Sequence, residues 1–316
     1  MQRRTLFLVL IWSSAVSAQI RIGLIGLDTS HAPAFTAIIN DTSRDDHVAG
    51  ARVVCAYRGG SPDVEASAAR IDRFTAQIRD QHGVPIVPSI AELVSEVDAV
   101  ILTSVDGRVH LDQARPVLAA GLPLFIDKPM AASLADVKTL FRLAEESGAP
   151  CFSASALRFI PEVQKVLADS SLGAVLGCFA YSPASLEPHH PDLFWYGVHG
   201  IEILFTFMGP DCREVIRIKQ PDADAVTGVW EDGRLGIYRG GRAGKGGYGA
   251  MVFFERGIRH VEYGSGSLYR PLVKEIVKFF RSGVAPVSPE ETTAIFAFME
   301  GADQSVRLGS KIPMPR

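Results

Sequence analysis

The segment IRIGLIGL, residues 20–27, is apolar except for Arg21, the pattern of a strand covered on both faces of a sheet. Comparable runs follow in ARVVCAY (51–57), DAVILTS (98–104) and LPLFID (122–127). Helical segments separate them: one from about Ser30, SIAELVSEV at 89–97, and one ending at Gly121. Pro33 falls in the first turn of the first helix, where amides have no helical partner. Strand–helix alternation of this length predicts an α/β unit with a doubly wound parallel sheet of Rossmann type. Ser133 and Asp136 form a capping box that opens a further helix, which Gly148 closes. After PCFSASALRF (150–159) the rhythm changes to strand-like segments with turn glycines, from about 173 to 265. Two amphipathic helices, 271–281 and about 289–308, end the chain. This half predicts an α+β unit, an open-faced and mostly antiparallel sheet with helices on one face. The expected organisation is a Rossmann-like domain over 19–129 and a second domain over 130–316.

Residues 1–18 follow a different pattern. Arg3 and Arg4 precede an apolar run from Leu6 to Trp12, and Val16-Ser17-Ala18 offers a small-residue cleavage site. That reads as a cleavable signal peptide, too short to span a bilayer, and places the mature chain in the periplasm or outside the cell. The paired arginines fit either a twin-arginine signal or an ordinary secretory one. No later stretch is apolar enough for a membrane span. A net charge of −3 in 316 residues argues against a nucleic-acid partner. Four cysteines, Cys55, Cys151, Cys178 and Cys212, are too few for a disulfide framework; Cys178 with Cys212 is the one pair worth considering.

The first strand runs into Gly26, where a G-x-G-x-x-G dinucleotide fingerprint would begin, but Asp28 and His31 hold the two later glycine positions. Three readings of Asp28 are open. The loop is displaced and phosphate rests on Thr29, Ser30 and the helix N-terminus; Asp28 turns away and caps the helix; or the crevice binds something else. Ligands of such a sheet bind beyond the carboxyl ends of its strands. Gly26, Leu27, Asp28, Thr29, Ser30, His31, Arg58, Thr103, Ser104, His110, Asp127 and Lys128 are therefore the candidate cofactor residues. Tyr57-Arg58-Gly59-Gly60-Ser61 stands where an acid would bind ribose hydroxyls. Arg58 and Ser61 suit a 2′-phosphate, which tilts the expectation toward NADP over NAD.

The stretch DAVILTSVDGRVHLDQARPVLAAGLPLFIDKPMAASLADVKTL, with its Thr103-Ser104, His110, Gly121 and Asp127-Lys128-Pro129, resembles the glucose–fructose oxidoreductase/inositol dehydrogenase (Gfo/Idh/MocA) family. FWYGVHGIEILFTFMGP resembles that family's histidine segment, with His199 on the histidine, Glu202 in place of its aspartate, and Trp195 where an aspartate usually precedes. The resemblance implies NAD(P), a sugar, polyol or related hydroxy substrate, and a homo-oligomer formed through the second sheet. It also implies that Lys128 polarises a substrate hydroxyl and that His199 exchanges its proton. Substrate contacts are expected from His189, His190, Trp195, Tyr196 and Glu202. The spacing of EPHHPDLF matches no standard zinc pattern, so no metal is expected. YRGGRAGKGGYG (238–249) reads as a hairpin turn and not as a phosphate cradle. Two alternatives stay open: a glycosidase that oxidises its sugar transiently with held NAD, and a sugar-binding protein that has lost the cofactor.

Overall fold

The structure is a computed structural model describing residues 19–263 and 268–315; the signal peptide read from residues 1–18 lies outside the described residues. Six strands form the first sheet: β1 (Ile20–Ile25), β2 (Ala51–Tyr57), β3 (Ile86–Val87), β4 (Ala99–Leu102), β5 (Leu124–Asp127) and β6 (Cys151–Ala154). Their order is β3-β2-β1-β4-β5-β6, and every pairing is parallel. The order reverses between β1 and β4, the switch point where such sheets leave a crevice. The helices of this unit are α1 (His31–Asn40), α2 (Glu65–Ala68), α3 (Ile71–Ala76), α4 (Ile90–Ser95), α5 (His110–Ala119) and α6 (Leu134–Ser147). The predicted cap of α6 is present: Ser133 Oγ accepts from Asp136 N at 3.0 Å, and Gly148 ends the helix in the left-handed region.

Helix α7 (Pro161–Leu167) leads into a seven-stranded sheet whose first two strands are separated by α8 (Val198–Met208). It comprises β7 (Val175–Pro183), β8 (Cys212–Lys219), β9 (Ala223–Trp230), β10 (Leu235–Gly241), β11 (Gly249–Phe254), β12 (Gly257–Glu262) and β13 (Ile312–Pro313), in the order β12-β11-β7-β10-β9-β8-β13. Only β7 with β10 is parallel. Residues 238–249 therefore do not make the expected hairpin, because β7 lies between β10 and β11. One face of the sheet packs on α8 and on the last helix. The other carries Ile216, Thr227, Ile237, Phe179 and Met251 in one cross-strand row, none of them fully buried.

Two features differ from the expected boundary at residue 129. Strand β6 still belongs to the first sheet, and α9 (Arg270–Ser282) returns to that domain. Leu272, Val273, Ile276 and Phe279 of α9 are fully buried with Leu24, Phe35, Phe125 and Phe152. Phe152 meets Phe279 edge-on at 4.7 Å. Each such side chain contributes about 1.5–3 kcal/mol, enough to hold α9 on the Rossmann unit. Its amphipathic pattern was legible; the sheet it would cover was not. The final helix, α10 (Pro289–Leu308), packs on the second sheet as expected. All four cysteines are free thiols, so Cys178 and Cys212 form no disulfide.

Candidate active site

The carboxyl ends of β1, β4 and β5 and the residues just before α8 enclose a cavity of about 320 Å³. Thr29, Ser30, His31 and Lys128 line it from the first domain, and Trp195, Tyr196, His199 and Tyr248 from the second. A larger cavity, about 1070 Å³, lies behind α6 and the start of α10 and contains none of the predicted site residues.

His199 Nδ1 lies 2.8 Å from Ser155 Oγ, which leaves Nε2 for the cavity. The Tyr196 and Tyr248 rings stand edge-on to the imidazole at 5.2 and 5.7 Å, and the Tyr248 hydroxyl donates to that of Tyr196 at 3.0 Å. Burial, with Lys128 and His31 nearby, pushes the His199 pKa well below the usual histidine range, so the ring is neutral at working pH. Glu202 does not replace the missing carboxylate partner. Its Oε2 accepts from Ser155 N at 2.6 Å and faces Arg158 at 3.7 Å, so it reaches His199 only through Ser155. Burial raises the Glu202 pKa to about 7, against the pull of Arg158 and the Ser155 amide.

His31, at the third fingerprint position, lies with Nδ1 2.6 Å from Asp127 Oδ2. Its ring packs on Phe35 and Tyr269 at 5.3 and 4.7 Å. Burial alone would raise the Asp127 pKa, but His31 and Lys128 together hold it below the usual range. The site thus holds two imidazoles and one ammonium, with an ionised carboxylate fixing one imidazole from behind.

The remaining predicted residues sit elsewhere. Thr103 Oγ1 donates to Gly26 O at 2.6 Å, and Ser104 Oγ to Gln113 Oε1 at 2.7 Å. His110 is fully buried between the carbonyls of Ser104 and Met130, at 2.8 and 3.1 Å, and clasps two loops where a cofactor contact was expected. Arg58 pairs with Asp72 at 2.6 Å at the surface. Leu27 is wholly in the core. His189 pairs with Glu187 at 3.1 Å outside the cavity. His190 lies behind Trp195 at 5.4 Å, its pKa lowered by burial to about 4. Ser155, Tyr248, Arg70 and Tyr269 line the cavity and were missed. No local motif marks them; the chain brings them together only by folding.

The fit of a dinucleotide turns on Asp28. Its carboxylate is fully buried and accepts from Ser67 Oγ at 2.7 Å and from Val105 N at 3.0 Å. It caps no turn of α1, as the second reading supposed; it ties the loop after β4 to α2. Arg108 fastens the same two loops, reaching Asp63 at 2.9 Å and Asp106 at 2.8 Å. A Cβ on Gly26 would lie 2.3 Å from Ser104 N and Oγ, and one on Gly59 would lie 3.3 Å from Gly26 Cα. Gly26, at φ +86°, thus serves close packing of the chain on itself. Asp28, Ser61, Val64 and Ser67 are all buried, so the segment after β2 closes on the loops after β1 and β4. The open cavity is at the lower end of the ~300–1,000 Å³ of small-molecule sites, too small for two nucleosides, a pyrophosphate and a substrate. The described residues do not fit a dinucleotide.

Two outcomes follow. Asp28→Ala removes the acceptor of two hydrogen bonds and is expected to cost about 2–4 kcal/mol of unfolding free energy in urea titration; an unchanged midpoint would contradict the anchoring role. Glu202, raised from its usual value in the folded state, contributes stability that is full below pH 4.5 and lost as pH rises through about 7. The unfolding free energy of the wild type should therefore fall between pH 5 and 8 relative to Glu202→Gln, and parallel pH profiles would count against it.

Residues 20–155 match the sequence profile of the GFO_IDH_MocA oxidoreductase family, described as an NAD-binding Rossmann fold. A D-xylose 1-dehydrogenase (NADP(+)) from Haloferax volcanii is 27% identical over 129 residues, a stretch spanning 39% of this chain and 39% of that relative. Among solved structures, myo-inositol 2-dehydrogenase from Lactobacillus plantarum superposes with TM-score 0.76 at 14% identity, covering 94% of this chain and all of that one. Scyllo-inositol dehydrogenase from Lactobacillus casei, with bound NAD(H) and scyllo-inositol, gives 0.73 at 15% identity, covering 93% and 99%. These likenesses establish the two-domain fold along nearly the whole chain. Over residues 20–155 the chain is similar to the Gfo/Idh/MocA oxidoreductase family.

Proposed function

We propose that this protein is an enzyme that moves protons at a hydroxyl- or carbonyl-bearing carbon of a sugar- or polyol-like compound, with Lys128 and His199 as its catalytic pair. The observation carrying this reading is that both side chains, from different domains, line one small cavity beside a closed nucleotide end. The Lys128 ammonium holds the substrate oxygen, and its charge favours the oxyanion that develops there. Neutral His199 takes the proton from the carbon next to a carbonyl; the C–H electron pair becomes a carbon–carbon double bond and the carbonyl π pair moves to the oxygen held by Lys128. Ser155 fixes the His199 ring. His31, held by Asp127, is the second group able to carry a proton. Reprotonation of the carbon returns the carbonyl compound or its epimer, and atoms and electrons balance without an external oxidant. A site of this kind also suits the export read from residues 1–18, because it needs no supply of nucleotide outside the cytoplasm.

NAD(P)-dependent dehydrogenation is the second reading, favoured by the family match. It requires Ser67 and Val105 to release Asp28. Incubation of the mature protein with ketoses and uronic acids in D2O separates the two by NMR. The first reading predicts deuterium uptake at the carbon beside the carbonyl without added nucleotide, reduced about 10²-fold or more in Lys128→Ala and His199→Ala. Turnover only when NAD(P) is added would establish the dehydrogenase instead.

A further inference from the structure

The segment that closes the crevice also changes the charge of the cavity. Ser61 N donates to Ser67 Oγ at 2.8 Å, Ser67 donates to Asp28, and Val64 is fully buried, so residues 61–70 are pinned against the loops after β1 and β4. That placement brings Ala66 and Arg70 to the cavity wall, facing Trp195 and Tyr196 of the second domain. Arg70 Nε donates to Ala66 O, which fixes the side chain along α2. Among the described residues Arg70 makes no ion pair. Asp28 is the acid whose field reaches it, and both Asp28 oxygens are already engaged.

The lining as a whole is cationic. Among the described residues its charged side chains are Arg70 and Lys128, and no aspartate or glutamate lines the cavity. The neutral remainder, Ser30, Ser155, Ser185 and the tyrosines, suits hydroxyl groups. Burial also pulls the Arg70 pKa below the usual arginine range, only partly offset by Asp28. A half-buried guanidinium without an anion is an incomplete arrangement, and its planar fork matches an oxyanion.

We propose that Arg70 binds an oxyanion carried by the substrate, so that the site takes an acidic hydroxy compound of monosaccharide size, a sugar acid or a sugar phosphate. The segment closing the nucleotide end of the crevice thereby supplies the residue that selects the substrate. Lys128 remains for the reacting oxygen, and Arg70 holds the charged end. This inference rests on the acid–base reading of the same cavity and names its substrate class.

The test is calorimetric titration of the mature wild type, Arg70→Ala and Arg70→Lys with glucuronate, glucose 6-phosphate and glucose, alongside deuterium exchange. At least one acidic compound should bind the wild type about tenfold or more tighter than glucose. Arg70→Ala should abolish that preference, and Arg70→Lys should restore part of it, lacking the fork. A preference for glucuronate over glucose 6-phosphate, or the reverse, identifies the oxyanion. Equal binding of glucose and both acids by the wild type, binding of none of them, or an acid preference surviving in Arg70→Ala, would overturn the assignment. If exchange without nucleotide persists in those cases, the acid–base reading stands; if the wild type shows no exchange, that reading falls with it.

Discussion

A buried carboxylate organises the nucleotide end of this molecule. Asp28 sits where the fingerprint needs a glycine so that pyrophosphate can approach the backbone, and accepts from Ser67 and from the Val105 amide. Those two bonds join the loop after β1 to α2 and to the loop after β4. A carboxyl group with no access to water must have its hydrogen bonds made within the chain, so α2 and the β4 loop cannot both leave it at low cost. Arg108 repeats the tie between the same loops with Asp63 and Asp106. The crevice of the Rossmann sheet is thereby shortened from within.

The shortened crevice places its remaining chemistry at the domain junction. Lys128 follows β5 directly, and His31 opens α1, so the first domain fixes both through its sheet. His199 comes from the first turn of α8, set by Ser155 just past β6. Because β6 and α9 belong to the first domain while α8 and α10 cover the second sheet, the chain passes between the units repeatedly. Relative movement of the two halves of the site is restrained accordingly. Burial beside Lys128 keeps His199 neutral, whereas His31 and Lys128 hold Asp127 ionised against its own burial.

Much of this architecture was legible in the sequence. Continuous apolar runs gave β1, β2, β4 and β5, and Ser133 with Gly148 bounded α6. Lys128 and His199 were identified by their motifs and do share a cavity. What escaped was set by tertiary partners. Thr103, Ser104 and His110 carry polar groups that satisfy backbone and side chains within the fold, which no motif distinguishes from ligand contacts. Arg58 found Asp72, Glu202 found Ser155 and Arg158, and α9 found the other domain's core. Asp28 was conspicuous as a broken rule, but its partner Ser67 is 39 residues away, beyond any local pattern.

Asp28, with α2 and the loop after β4, closes the nucleotide end of the crevice. The most direct measurement is to purify the protein, denature it, identify any released nucleotide by mass spectrometry, and titrate NAD and NADP into the undenatured protein. The structure predicts no copurified nucleotide and no saturable binding of either. Stoichiometric NAD(P) released on denaturation, or tight binding on titration, would mean that Asp28 and α2 give way to a cofactor, and would contradict the account.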